Sequence, residues 1–516
     1  MLSGSLLQAN ADDGSPAKPP FQRRGFYLHG AWKYNYPFAV RSWKPADYHN
    51  MFQLLKQLGF NTVMLWPGVE AIPMPISRVD REALQTFRPI IGDARKCGLE
   101  TWLTTCPNVV SNPEIAAKPW MERSLYAHMK TIRLDDPKEA EAYLEHRSAL
   151  MAILNNADGY VTIDGDPGGY PNAKPADFLK IFLSDRKTID QFGTHAKTQK
   201  VIPWIWCGWG ANGVWKEPIE PFVTATLEAI KQQNMPEPWE LLPGRSYRKG
   251  WANGRTNMEL VKTAGLLDRS TLMLYEIIEF EPSQPAPILQ FADIRRVMKQ
   301  ELEQSPGVRG FFGNAQQPIM VLPNTYFFAR CAMDPSYIHR TDNEVLTDFA
   351  QFLGGPPELL IPAWSSLYWE LDKLPVDLPR RLRSAKLSGP AASFLPGGAT
   401  SYLNLLASHV DSRIRLLQAC QWPGATPEAT ASAIADATSA LIDWWKLHRY
   451  VGSGEGHEAF QWNWAHPTQY GLLKNWCARN AIDSRRVSEL AAREIVKRGL
   501  FTEKDATDRV RELLSP

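Results

Sequence analysis

From about Arg23 to Arg340 the chain alternates eight apolar, β-rich segments with eight amphipathic ones, and this alternation leaves few architectures open. The β-rich segments are Gly25 to Trp32, Phe60 to Trp66, Leu99 to Cys106, Tyr160 to Gly169, Lys200 to Gly208, Trp239 to Leu242, Thr271 to Ile278 and Val308 to Asn314. Between and after them, helical spacing predicts helices at Pro45 to Leu58, Arg78 to Cys97, Pro137 to Asn155, Pro175 to Phe192, Pro221 to Gln233, Asn257 to Leu267, Ile288 to Gln304 and Asn324 to Met333. In the first of these Tyr48, Met51, Phe52, Leu55 and Leu58 recur at i+3 and i+4, the pattern of one buried face. Strands alternating with helices argue a parallel sheet, and eight such units over about 300 residues argue a (β/α)8 TIM barrel. An open doubly wound sheet is the alternative.

Beyond about Thr341 the strand-like runs stop. Asn343 to Leu353, Ala431 to Tyr450 and Val487 to Leu514 read as helices, so the expected organisation is a flexible tail at 1–22, a barrel at 23–340 and a mainly helical C-terminal domain at 341–516. A chain of 516 residues exceeds one ordinary core, which agrees with two units. Formal net charge is +2, from 57 basic and 55 acidic residues, and gives no electrostatic footprint for nucleic acid or an anionic membrane. No run approaches the roughly 18 apolar residues of a membrane span. Residues 1–20 lack the apolar core of a signal peptide, leaving export after processing and a cytoplasmic location both open. The six cysteines show no zinc spacing and read mostly as buried thiols; oligomeric state is unreadable.

In a barrel the strand C-termini share one face, where distant residues converge. The fourth segment, Tyr160-Val-Thr-Ile-Asp-Gly-Asp-Pro-Gly-Gly169, brings two carboxylates there. Alternation sets Val161 and Ile163 on one face and Thr162, Asp164 and Asp166 on the other. The other ends offer His29 with Trp32 and Lys33; Trp66 and Glu70; Asn108; Trp206 and Trp209; Arg245 and Tyr247; Glu276, Glu279 and Glu281; and Asn314 with Gln316. A rim of carboxylates, tryptophans and amides suits a sugar, because aromatic faces stack on pyranose C–H faces while Asn, Arg and His reach hydroxyls. Bland readings stand beside these: Asp164 as a buried acid bonded to Thr162 or backbone, Trp204 and Trp206 as core, Glu281 and the Arg245 region as solvated loops.

Glycoside hydrolysis needs one carboxyl group to protonate the leaving oxygen and a second group to stabilise or attack the anomeric carbon. Two carboxylates held close cannot both ionise easily, so one becomes a usable acid. Asp166, lying farther out, is the expected general acid, with Asp164 orienting it and Glu276 or Glu279 across the barrel. Parity lets only one of those two glutamates look inward if the strand continues. His29, Trp32, Trp66, Glu70, Trp206, Trp209, Arg245, Tyr247 and Asn314 are the expected substrate contacts. Gly208-Trp-Gly-Ala-Asn-Gly213 fits a dinucleotide fingerprint, but Pro218 interrupts the helix it requires, so no cofactor is expected. The ten histidines lack zinc-binding spacing; a hard cation on Asp164 and Asp166 stays open.

Arg24-Gly-Phe26 leading to His29, Leu58-Gly-Phe-Asn-Thr-Val63 leading to Trp66-Pro67, Val161-Thr-Ile-Asp-Gly-Asp166, and Gly310-Phe-Phe-Gly-Asn314 before Leu322-Pro-Asn-Thr-Tyr326 resemble corresponding strands of (β/α)8 glycoside hydrolases, loosely those of the hexosaminidase-like group. The resemblance covers about Arg23 to Arg340 and implies an acid-bearing fourth strand. In that group the two acids are adjacent, whereas Gly165 separates them here, which argues against assistance by a substrate N-acetyl group. The expectation is a glycoside hydrolase, exo-acting, on an oligosaccharide or glycoside of unspecified sugar and anomer, with retention or inversion equally open. Two alternatives remain: a non-catalytic carbohydrate-binding barrel, and a metal-dependent hydrolase or lyase.

Overall fold

The computed structural model describes residues 21–30, 34–123, 129–165, 168–169, 173–206, 220–246, 253–280, 287–367, 374–420, 426–448 and 484–499. In chain order the strands are β1 (Arg23–Leu28), β2 (Thr62–Leu65), β3 (Glu100–Thr105), β4 (Val109–Ser111), β5 (Met129–Thr131), β6 (Gly159–Ile163), β7 (Lys200–Ile205), β8 (Leu242–Ser246), β9 (Thr271–Tyr275) and β10 (Gly310–Ala315). β4 and β5 form a separate antiparallel pair, and the other eight close a parallel barrel in the order β1-β10-β9-β8-β7-β6-β3-β2. The helices that follow the barrel strands are α1 (Pro45–Leu58), α2 (Arg78–Lys96), α3 (Pro137–Ile153), α4 (Pro175–Phe192), α5 (Glu220–Gln232), α6 (Asn253–Thr263), α7 (Phe291–Gln304) and α8 (Leu322–Met333). The chain is therefore a (β/α)8 barrel.

Local chemistry starts these helices where the sequence says. Lys-Pro-Ala-Asp occurs twice, at 44–47 and 174–177, and opens α1 and α4 alike. Each proline takes the first helical position, and each aspartate accepts its lysine's backbone N–H, Asp47 at 3.0 Å and Asp177 at 2.9 Å. Ser77 and Asp136 cap α2 and α3 by accepting backbone N–H groups.

The sixth barrel strand departs from expectation. Trp239 to Leu242 is only its approach, and β8 runs on through Pro243-Gly244. Glycine is required there by packing, since a Cβ on Gly244 would lie 2.6 Å from the Trp206 ring. Each barrel strand sends one side chain to the central layer: Tyr27, Met64, Trp102, Val161, Ile202, Leu242, Met273 and Phe312. Gly25 leaves the room that the Phe312 ring fills, 2.4 Å from where a Cβ would stand.

Below that layer the barrel is closed by charge. Arg23 reaches Glu100 at 2.6 Å and Glu240 at 2.7 Å, Lys200 reaches the same two at 2.6 and 3.1 Å, and Arg309 adds a contact to Glu240 at 3.2 Å. Arg23 also lies 4.7 Å over the Trp102 ring. Burial works against the Glu100 carboxylate, but Arg23 and Lys200 overcome it and hold its pKa at about 2.

After the barrel come α9 (Asp342–Leu353), α10 (Pro357–Ser365), α11 (Leu378–Ser384), α12 (Ala399–Cys420), α13 (Pro427–His448) and α14 (Ser484–Lys497). Helical content here is as expected, although α10 to α12 were not legible. The apolar core runs without a break from the outer barrel layer into these helices, through Phe349, Trp364 and Tyr402. Trp364 donates its indole N–H to the Tyr402 hydroxyl at 2.8 Å, and the Gly397 N–H donates to Asp47 on α1 at 3.1 Å. Among the described residues no helix is long and apolar enough to cross a membrane.

Candidate active site

At the strand C-termini lies a cavity of about 290 Å³, counting the part open to solvent, lined by Tyr27, His29, Trp66, Thr104, Thr105, Ile163, Trp204, Trp206 and Tyr275. Strand alternation builds it: Tyr27 and His29 are two apart on β1 and its extension, as are Trp204 and Trp206 on β7 and its extension, so each pair lines the cavity. The aromatic rings brace one another. Trp206 and Tyr275 have centroids 4.7 Å apart, and His29 meets the Trp66 ring edge-on at 4.8 Å. Burial pushes the His29 imidazole down to about 3, so at neutral pH it is an uncharged hydrogen-bonding group.

Glu276 follows directly after β9, at the same end of the barrel as the cavity. It is buried and has φ of +64°, one of two non-glycine residues with positive φ among those described. Its backbone is held from both sides. The Glu276 N–H donates to Asn314 Oδ1 at 2.7 Å, while its carbonyl accepts from Gln290 Nε2 at 3.0 Å. Such a conformation costs about 1–3 kcal/mol and persists only where neighbours impose it. Asn314 is fully buried, and its Nδ2 finds no acceptor among the described residues; the same holds for the Trp204 indole N–H. Trp204 lines the cavity, so its indole N–H has capacity for a ligand oxygen.

Asp164 is buried just past β6. Its carboxylate accepts the Trp206 N–H at 2.9 Å, and its own N–H donates to the Trp204 carbonyl at 3.0 Å. Alternation along this strand holds as expected, with Val161 and Ile163 on the barrel side. Thr162 faces outward, where Arg147 donates to it at 2.6 Å and to Asp185 at 2.7 and 2.8 Å. Asp164, just beyond the strand end, is fixed against the end of β7 and is not among the residues that line the cavity. Were a hard cation bound here, Asp164 would be its described ligand.

The remaining expected residues divide. Glu70 accepts from the Trp66 indole N–H at 2.9 Å and, with its other oxygen, from the Cys106 N–H, so it positions Trp66 and the end of β3. Burial raises its pKa. Glu279 accepts the N–H groups of Gln316 and Gln317 at 2.5 and 2.7 Å and holds the turn after β10. Asp166, Trp32, Trp209 and Tyr247 lie outside the described residues, as do the side chain of Arg245 and the Gly208 to Gly213 fingerprint. Sequence reasoning missed Tyr27, Thr104, Thr105, Ile163 and Tyr275 as mouth residues and took Trp204 for core. Stepping back by two from His29 and from Cys106 finds Tyr27 and Thr104, and Tyr275 is the last residue of its strand.

No protein-family model matches the chain, and no curated protein matches it significantly. Among solved structures it is similar to a mutant of the O-GlcNAc hydrolase of Thermobaculum terrenum, with a TM-score of 0.44 and 12% identity, covering 96% of this chain and 94% of that one. It is also similar to the protein described as CpGH84B, with a TM-score of 0.44 and 11% identity over 89% and 77% of the two chains. A third similar structure is BtGH115A, a family GH115 4-O-methyl-α-glucuronidase, with a TM-score of 0.48 and 13% identity over 88% and 62%.

Proposed function

We propose that this barrel is a glycoside hydrolase that takes a terminal sugar into the mouth. The observation that carries the reading is Glu276, a buried carboxylate kept in a left-handed backbone conformation by Asn314 and Gln290 at the end of a barrel strand. Strain of this kind collects at functional sites. In the cavity at the same end of the barrel, Trp66, Trp204, Trp206 and Tyr275 offer ring faces and edges, and neutral His29 offers a hydroxyl partner.

In this reading Asp166 delivers the proton to the leaving oxygen, Asp164 fixes its surroundings, and Glu276 acts from β9, with β7 and β8 between it and β6. Glu276 either attacks the anomeric carbon or activates water against it, and the configuration of the product distinguishes the two. The test is hydrolysis of a panel of aryl glycosides covering neutral sugars, N-acetylhexosamines, uronic acids and sialic acid. Asp166→Asn should lower kcat by about 10²–10⁴ on the sugar that is cleaved. An unchanged rate in that variant removes Asp166 from the mechanism. Saturable glycan binding with tryptophan quenching and no turnover would replace the hydrolase by a carbohydrate-binding barrel.

A further inference from the structure

A second group of reactive side chains lies in the outer helical layer. His49 on α1 faces Asp93 and Cys97, one turn apart near the end of α2. The His49 Nδ1 is 2.8 Å from Asp93 Oδ2 and 4.0 Å from Cys97 Sγ, and the three ligand atoms all lie within 4.8 Å of one another. Cys97 is buried, the Asp93 side chain is 28% exposed and that of His49 44%, so the group has a closed thiol end and an open imidazole end.

The arrangement has two simple explanations that it does not fit well. A surface ion pair accounts for His49 and Asp93 but not for a buried thiol directed at the same atom. A proton relay from thiol to acid uses both ring nitrogens, one toward each partner. Here carboxylate and thiol both approach Nδ1, so the three groups converge on one point in space, as ligands around an ion do.

We propose that His49, Asp93 and Cys97 bind a divalent transition-metal ion of the zinc class, with water completing the shell on the exposed side. Nitrogen, sulfur and carboxylate oxygen are the zinc donor set, at about 2.0–2.3 Å from the ion. Tetrahedral ligands at such lengths stand roughly 3.3–3.6 Å apart. Seating an ion thus widens the 2.8 Å nitrogen–oxygen distance and narrows the 4.0 Å nitrogen–sulfur one by about half an ångström each, within side-chain reach. Thiolate and imidazole select against magnesium and calcium, which prefer oxygen. Cys97 comes three residues before β3 begins, at the end of the barrel opposite the mouth, so the ion ties α1 to α2 and takes no part in chemistry at the strand C-termini.

The full chain, stripped with chelator and kept reduced, is titrated with Zn²⁺ by calorimetry and with Co²⁺ by absorbance. One ion per chain should bind, Tm should rise with Zn²⁺ concentration, and the Co²⁺ form should show a sulfur-to-metal charge-transfer band. His49→Ala, at an exposed position that tolerates truncation, should weaken binding by at least about tenfold, and Cys97→Ser should abolish the charge-transfer band. Absence of stoichiometric binding, or binding and a Co²⁺ spectrum unchanged in both variants, would overturn the site. Any glycosidase activity should be the same with and without Zn²⁺.

Discussion

Replacing Glu276 by glycine separates the two roles open to a side chain at this place. With φ at +64°, the residue costs the fold about 1–2 kcal/mol that glycine does not. The bonds that hold the conformation, from the Glu276 N–H to Asn314 and from Gln290 to the Glu276 carbonyl, use only main-chain atoms of residue 276 and survive the change. Against this gain, the freer unfolded chain takes back about 0.5–1 kcal/mol. The folded state should therefore be between unchanged and about 1 kcal/mol more stable, while hydrolysis falls by about a thousandfold or more. Urea midpoints and kcat/KM on the same preparation measure both, with Glu276→Gln as the control that keeps the strain and removes the charge. A loss of about 2 kcal/mol or more in the glycine variant would make the side chain structural. Persistent hydrolysis would remove it from the chemistry, and either result refutes the reasoning.

Asn314→Ala leaves the Glu276 N–H buried without its acceptor, which should cost about 1–3 kcal/mol and lower kcat more than it raises KM. Asn314→Asp keeps the acceptor and should recover most of the stability; equal losses in both would show that this bond does not hold Glu276. Glu100 has its folded pKa depressed to about 2 from 4.5, so its stabilising effect is complete above about 4.5 and is lost as pH falls from there toward 2. Glu100→Gln should cost on the order of 3 kcal/mol at neutral pH and flatten stability over that acid window, read from urea midpoints against pH. His29 stays neutral when folded down to about pH 3, whereas the unfolded imidazole takes a proton below about 6.5, so it makes the fold less stable as pH falls through that interval. His29→Gln should weaken substrate binding and leave every limb of the pH–rate profile between 5 and 8 in place.

The barrel was legible because its period is simple. Strands buried on both faces read as apolar runs and helices as amphipathic ones, and α1 and α4 match their expected spans at Pro45–Leu58 and Pro175–Phe192. The failures have local causes. Pro243 and Gly244 look like strand breakers, yet the Trp206 ring occupies the space above Gly244, a tertiary fact absent from the local pattern. β4 and β5 are three residues each, too short for alternation to register. Parity correctly paired Val161 with Ile163, but which face of β6 points inward depends on Arg147 and Asp185 in other segments, which take Thr162 outward. For Glu276 and Glu279 parity did not apply at all, because β9 ends at Tyr275 and the chain turns through a left-handed residue.

Carboxylates stand at both ends of this barrel, and electrostatics separates their uses. Glu100 and Glu240 are the paired acids of the interior, each in contact with more than one cation. A group held at about 2, as Glu100 is, stays ionised near neutrality and has no proton to give, however well placed it is. At the mouth the described bonds to acids come instead from neutral groups: the Trp206 N–H to Asp164, the Trp66 indole and Cys106 N–H to Glu70, and the Gln316 and Gln317 N–H groups to Glu279. Such donors orient a carboxyl group without the cost that leaving an unpaired buried cation would impose if the group took a proton. Charge pairing closes the lower end, while at the upper end neutral amides of Asn314 and Gln290 hold Glu276 in a conformation its own backbone disfavours.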